Sequence, residues 1–116
     1  MSDRNTAAVH EYWRRISGKD VDGFAAMFTE DAVAHDPPNA PPADTDDKRR
    51  AFINGIFGMF TEIDGRCEFI KANGDRTAHK FRIEGRTPAG EIQVIEGIDF
   101  IRHAEDGKFK ELIAFW

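Results

Sequence analysis

The residues that most constrain what this chain can fold into are Glu91–Arg102, Glu-Ile-Gln-Val-Ile-Glu-Gly-Ile-Asp-Phe-Ile-Arg. The stretch is rich in β-branched side chains and is bounded by the turn signals Pro88-Ala89-Gly90 and Asp106-Gly107, a pattern that predicts a strand. Alternation puts Gln93, Ile95, Gly97, Asp99 and Ile101 on one face and Ile92, Val94, Glu96, Ile98 and Phe100 on the other. Both faces are largely apolar near Asp99, so the strand needs cover on both sides. An ionised carboxylate among Ile95, Ile98, Phe100 and Ile101 is costly. Asp99 must therefore pair with a cation, bind a metal, hold its proton, or sit solvated at the sheet rim. No Lys or Arg shares its face within the strand. That singles out a protonated Asp99 as the sharper reading, and the strand by itself leaves the rim reading open.

A chain of 116 residues makes one domain, residues 1–116, and its 41% hydrophobic and 32% charged composition predicts a packed core. Ten Phe against one Tyr and two Trp predict an interior lined by rings without polar handles. The net charge of −5 without a basic block argues against nucleic acid and anionic membranes as partners. Met1-Ser2-Asp3-Arg4-Asn5 leads into no apolar signal region and no run approaches a membrane span, so a cytoplasmic protein is expected. Cys67 is the only cysteine, and His10, His35, His79 and His103 show no metal-ligand spacing.

In chain order, Asp3–Ser17 reads as a helix with Val9, Tyr12, Trp13 and Ile16 on its buried stripe and Gly18 at its end. Tyr12 is the only tyrosine, and its buried hydroxyl needs a partner or a cavity. Asp20 caps a short second helix with Val21, Phe24, Ala25 and Phe28 inward. Residues 32–36 form a strand in which Asp36 shares a face with the small Ala32 and Ala34, while Val33 and His35 face away. Pro37 holds Asp36 extended. Four of the five prolines fall between Asp36 and Asp46, an ordered but irregular loop or a lid. A third helix follows over Asp46–Phe60, with a predicted buried stripe of Phe52, Ile56, Met59 and Phe60. Arg49 and Arg50 are expected on its solvated face, and Gly55 and Gly58 where another backbone packs close.

The remainder alternates. Arg66–Ala72 and Thr77–Gly85 flank the turn Asn73-Gly74-Asp75, with His79, Phe81 and Ile83 opposite Lys80, Arg82 and Glu84. Glu105-Asp106-Gly107 turns into Phe109–Trp116, where Phe109, Ile113 and Phe115 oppose Leu112, Ala114 and Trp116. The order α-α-β-α-β-β-β-β predicts an α+β domain whose curved antiparallel sheet wraps three N-terminal helices. A sheet apolar on both faces in so small a domain predicts a homodimer through the outer face.

The segment Tyr12…Gly18-Lys19-Asp20-Val21-Asp22-Gly23-Phe24…Phe28-Thr29-Glu30-Asp31-Ala32…Asp36-Pro37 resembles the N-terminal half of the ketosteroid isomerases, members of the nuclear-transport-factor-2-like (SnoaL-like) superfamily. Ile98-Asp99-Phe100 and Gly107-Lys108…Ala114-Phe115-Trp116 resemble that family's later strands, and residues 38–75 match it in outline only. The resemblance implies a cystatin-like cone and assigns roles. Asp36 would be the general base moving a proton on carbon beside a carbonyl. Tyr12 and a protonated Asp99 would donate to the enolate oxygen, as the ketosteroid isomerases do. No cofactor and no metal would be needed. Trp116, Phe52, Phe81, Ile83, Ile95 and Ile101 would bind a small hydrophobic carbonyl ligand, with Trp13, Phe24, Phe28 and Ile56 also among the apolar walls. The implied activity is ketosteroid Δ5–Δ4 isomerisation. The alternatives are a polyketide cyclase or dehydratase, in which His35 or His79 supplies acid–base chemistry, and a non-catalytic module that binds a hydrophobic ligand. No second tyrosine is present to support Tyr12.

Overall fold

The computed structural model describes residues 2–116, and Met1, at the head of the stretch expected to hold no signal region, lies outside the described residues. Helix α1 (Ser2–Ser17) buries Val9, Tyr12, Trp13 and Ile16, the predicted stripe. Its end differs in detail. The amides of Lys19 and Asp20 bond back to the carbonyls of Ile16 and Arg15, and the residue with positive φ (53°) is Lys19, one place beyond Gly18. This closing pattern needs a left-handed residue just past the C-cap, and Lys19 takes the place usually held by glycine. Its ammonium donates to the Phe60 carbonyl at 2.7 Å, which ties the helix end to the start of the sheet.

The short α2 (Val21–Ala25) is capped by the Asp20 carboxylate, which accepts from the Gly23 amide. Strand β1 (Phe28–His35) then leads through the proline-rich segment to α3 (Asp46–Met59). Strands β2 (Glu62–Asn73), β3 (Arg76–Arg86), β4 (Ile92–His103) and β5 (Phe109–Phe115) complete the chain. The sheet order is β1-β5-β4-β3-β2. Three of its four pairings are antiparallel, as adjacent hairpins require, but β1 lies parallel to β5. The expected all-antiparallel sheet is corrected at this one edge. The connection from β1 to its neighbour passes through α3 and three strands, and so long a path permits the parallel sense.

On β4 the expected alternation holds. Asp99, Ile101 and His103 are buried on the inner face, and Ile92, Val94, Ile98 and Phe100 are exposed on the outer. Two glycines let aromatic rings lie flat on the inner face. A Cβ at Gly65 would sit 2.7 Å from the Trp13 ring, and one at Gly97 would enter the Phe81 ring and the Phe115 carbonyl. In β5 the predicted opposition of Phe109 to Leu112 and Ala114 is corrected. All three are buried, because the β4–β5 register shifts between Arg102 and His103 and turns Phe109 inward.

Helix α3 departs most from expectation. Its buried residues are Arg49, Ile53 and Phe57, four apart, while Phe52 and Ile56 are half-buried beside them and Met59 is exposed. Phe60 is buried as the C-cap. Nothing lies within 4 Å of a Cβ built at Gly55 or Gly58, so these glycines mark no close packing. Arg49 is 2% exposed, against the expected solvated position. Its guanidinium donates to the carbonyls of Ala32 (2.6 Å), Thr29 (3.2 Å) and Glu30 (3.3 Å) and lies over the Phe28 ring. These carbonyls fall where the β1–β5 register breaks between Phe28 and Val33. Arg49 thus supplies the donors that the broken ladder lacks, the reason a cation is buried there. Arg50 is partly exposed and pairs with Asp22 and Asp46, both at 2.7 Å.

Candidate active site

The cone formed by α1, α3 and the inner sheet face contains a cleft of two lobes. Tyr12, Asp36 and Phe52 line both. The inner lobe, about 50 Å³, runs between Trp13, Ile16, Ile53, Ile56, Phe81, Ile83, Ile95, Ala114 and Trp116 and has Asp99 in its wall. The outer lobe, about 460 Å³, opens beneath Ala40-Pro41-Pro42-Ala43 and is bounded by Phe24, Phe28, Ala34, Lys48, Arg49 and Leu112. The proline segment is held to the edge of β1 by two backbone hydrogen bonds between Ala34 and Ala43 (3.0 and 2.8 Å). It roofs the larger lobe from a fixed attachment.

The fold brings Tyr12, Asp36 and Asp99 to one cavity, together with Trp116, Phe52, Phe81, Ile83 and Ile95. Of the further apolar walls, Trp13 and Ile56 line the inner lobe, and Phe24 and Phe28 the outer. Ile101 is not a wall of either lobe. It is 2% exposed and packs in the core. His35 follows the face of β1 that leads away from Asp36 and lines neither lobe.

Each polar group has a distinct setting. Tyr12 is buried among the rings of Trp13, Phe24, Phe28 and Phe109. Burial, and then the nearby carboxyls of Asp99 and Asp36, raise its pKa well above the ordinary phenol value, so it is a hydrogen-bond donor at neutral pH. Asp36 follows the last residue of β1, and its Oδ1 accepts the indole N–H of Trp116 from beyond the end of β5. Burial pushes its carboxyl up from 3.8 to about 7. The Trp116 hydrogen bond opposes that rise, and the neighbouring Asp99 adds to it. Asp99 is 2% exposed, and burial raises its pKa too.

The partner of Asp99 is His79, which the sequence pattern did not assign. Its Nε2 lies 3.1 Å from Asp99 Oδ2, and the same nitrogen accepts the Trp13 indole N–H at 2.8 Å. Asp99 Oδ1 and His79 Nδ1 are buried without a hydrogen-bond partner among the described residues. A signal for the pair was present. The β3–β4 hairpin is centred on Ala89, so residues ten before and ten after it, His79 and Asp99, face each other. The partner of Asp99 stands across the strand boundary, on β3, and not on its own strand.

The helices and curled sheet define a pocket protein with acid–base groups in its wall. The chain belongs to the SnoaL-like domain family, whose description matches residues 9–112. No curated protein matches the sequence. Among solved structures it is similar to SalBIII, an epoxide hydrolase/cyclase-like enzyme with a role in pyran ring formation in the polyether salinomycin. The TM-score is 0.88 at 24% identity, over 98% of this chain and 91% of that one. It is similar also to RV0760c from Mycobacterium tuberculosis, with a TM-score of 0.86 at 18% identity, over 100% of this chain and 92% of that one. At these identities the two likenesses establish the fold.

Proposed function

We propose that the chain is an acid–base enzyme that moves a proton on the carbon beside a carbonyl in a hydrophobic compound, through an enolate. The observation that carries this reading is the joint presence of Tyr12, Asp36 and Asp99 in the wall of one apolar cavity, with the two carboxyls in unlike settings. Asp36, poised at about 7, suits a base that takes a proton from carbon and returns it. Tyr12 keeps its proton and donates to the carbonyl oxygen as charge develops. The specific reaction proposed is ketosteroid Δ5–Δ4 isomerisation. The inner lobe admits only the reacting end of a ligand, while the outer lobe lies within the roughly 300–1,000 Å³ common for small-molecule sites and would take the ring system.

The likeness to SalBIII favours a second reading, a cyclase or dehydratase acting with the same groups on a polyketide-type substrate. The test is spectrophotometric turnover of a Δ5-3-ketosteroid by the wild type and by Asp36→Asn. Turnover that falls by about 10³-fold or more in the variant supports the isomerase. Turnover unchanged by Asp36→Asn removes the proposed base. Inactivity of a folded wild type removes the steroid, and poly-β-keto substrates then test for ring closure. The ligand-binding unit is proposed to be a homodimer formed through the outer sheet face.

A further inference from the structure

We propose that the outer lobe holds an anion subsite, in which Arg49 and Lys48 receive a carboxylate that the hydrophobic ligand bears remote from its reacting carbonyl. Both basic residues line this lobe, and neither lines the inner one. Tyr12, Asp36 and Phe52 stand where the two lobes meet. A ligand with its carbonyl beside Tyr12 and Asp36 therefore extends into the lobe that holds the basic pair.

Arg49 carries the argument. Its side chain is 2% exposed, yet it belongs to the wall of the lobe. Nη1 donates to the Ala32 carbonyl and Nη2 to those of Thr29 and Glu30, while Nε is buried without a partner among the described residues. The three acceptors are neutral. They satisfy N–H groups but leave the positive charge without a counter-ion. The carboxylates nearest in sequence are engaged elsewhere, Asp44 with Lys48 at 3.0 Å and Asp46 with Arg50 at 2.7 Å. A buried charge with no opposite charge beside it is costly, and an unused donor adds to that cost. A carboxylate in the lobe brings the missing charge to a place where salt screens it little.

Lys48 supplies the contact at the rim. Its exposed ammonium has three donors and spends one on Asp44. The acidic residue of the lobe, Asp36, has its pKa at about 7, so at pH 6 it is mostly protonated and does not repel an anion. This inference rests on the proposed ligand class and narrows it to a ketosteroid with an acid on the ring or side chain farthest from the reacting carbonyl.

The test is isothermal titration calorimetry of the full chain at pH 6, comparing a 3-oxo-4-ene steroid 17-carboxylate with its methyl ester. Binding needs no turnover. A protein that prefers the acid but isomerises nothing keeps the subsite and loses the isomerase. The acid should bind about tenfold to a hundredfold more tightly than the ester. Lys48→Gln, a change at an exposed side chain, should remove no more than about fivefold of that difference. The remainder belongs to Arg49 and should persist at high salt, because a buried charge is poorly screened. An acid that binds no more tightly than its ester would overturn the proposal. So would a preference that vanishes in Lys48→Gln, which would leave Arg49 a purely structural residue. Should neither steroid bind, phenanthrene carboxylate and its methyl ester take their place. Equal affinity for that pair, or no binding of the acid, would overturn the subsite as well.

Discussion

The two carboxyl groups of the cavity differ in what surrounds them. Asp36 sits at the end of a strand with alanines beside it and one indole N–H bonded to it. Asp99 lies inside the sheet against an imidazole. Because the folded-state pKa of Asp36, about 7, exceeds its ordinary 3.8, the folded protein binds this proton more tightly than the unfolded chain. Stability from this group is therefore full below pH 3.8, falls as pH rises towards 7, and is lost above it. The difference, 7 − 3.8, is about three pH units. At 1.36 kcal/mol each that gives about 4 kcal/mol, and solvent access at the cleft mouth brings it nearer 2 kcal/mol. Asp36→Asn should accordingly gain stability relative to wild type between pH 5 and pH 8 by about 1 kcal/mol, the rest of the change falling below pH 5, measured by urea unfolding at both. An equal difference at the two pH values would show that the Asp36 carboxyl is not perturbed. For activity the sign is opposite. The proposed base works when ionised, so kcat/KM should rise about tenfold per pH unit below 7 and level off above it.

Strands and the first helix were legible because their burial follows a simple period. The stripe of α1 and both faces of β4 follow directly from spacing, and so does the hairpin that brings His79 opposite Asp99. The extent of helix α3 was legible too, but its buried face was not, because it follows no hydrophobic period. Its inner face is organised around a charged residue that a hydrophobicity pattern assigns to water. Arg49 is inside because β1 breaks register there and exposes carbonyls that only a long, multi-donor side chain can reach. Replacing it with Leu removes these donors and should destabilise the fold by about 2–4 kcal/mol in denaturant unfolding. An effect under about 0.5 kcal/mol would mean that the carbonyls find other partners. The ring-accepting glycines make the complementary case. Gly97→Ala adds one methyl group where the Phe81 ring and the Phe115 carbonyl already sit. A loss of about 1–3 kcal/mol is expected, with Tm as the check.

Asp99 and the exposed row beside it together shape the expected assembly. The sheet has to be apolar inside to hold Asp99 in a dry wall. Alternation alone would allow a fully polar outer face, yet Ile92, Val94, Ile98 and Phe100 of β4 are exposed there, with Phe115 of β5 and Phe69 of β2. Phe100 and Phe115 meet edge to face across the two strands and form one apolar ridge. A row of charges, Glu68, Lys80, Glu96, Arg82, Glu84 and Arg66, three acidic and three basic, crosses the same sheet and is already internally paired. It therefore leaves no net charge to repel a second copy. An apolar ridge of this kind on a monomer would favour association, and a two-fold pairing of the ridge with itself is the simplest closed solution. Phe100→Glu places a charge at the centre of such a contact without touching the cavity, since its side chain points away from Asp99. Sedimentation equilibrium should show the wild type as a dimer and Phe100→Glu as a monomer that still folds. A wild type that is monomeric at high micromolar concentration would leave the ridge to some other partner. A variant that remains dimeric would place the interface elsewhere on the fold.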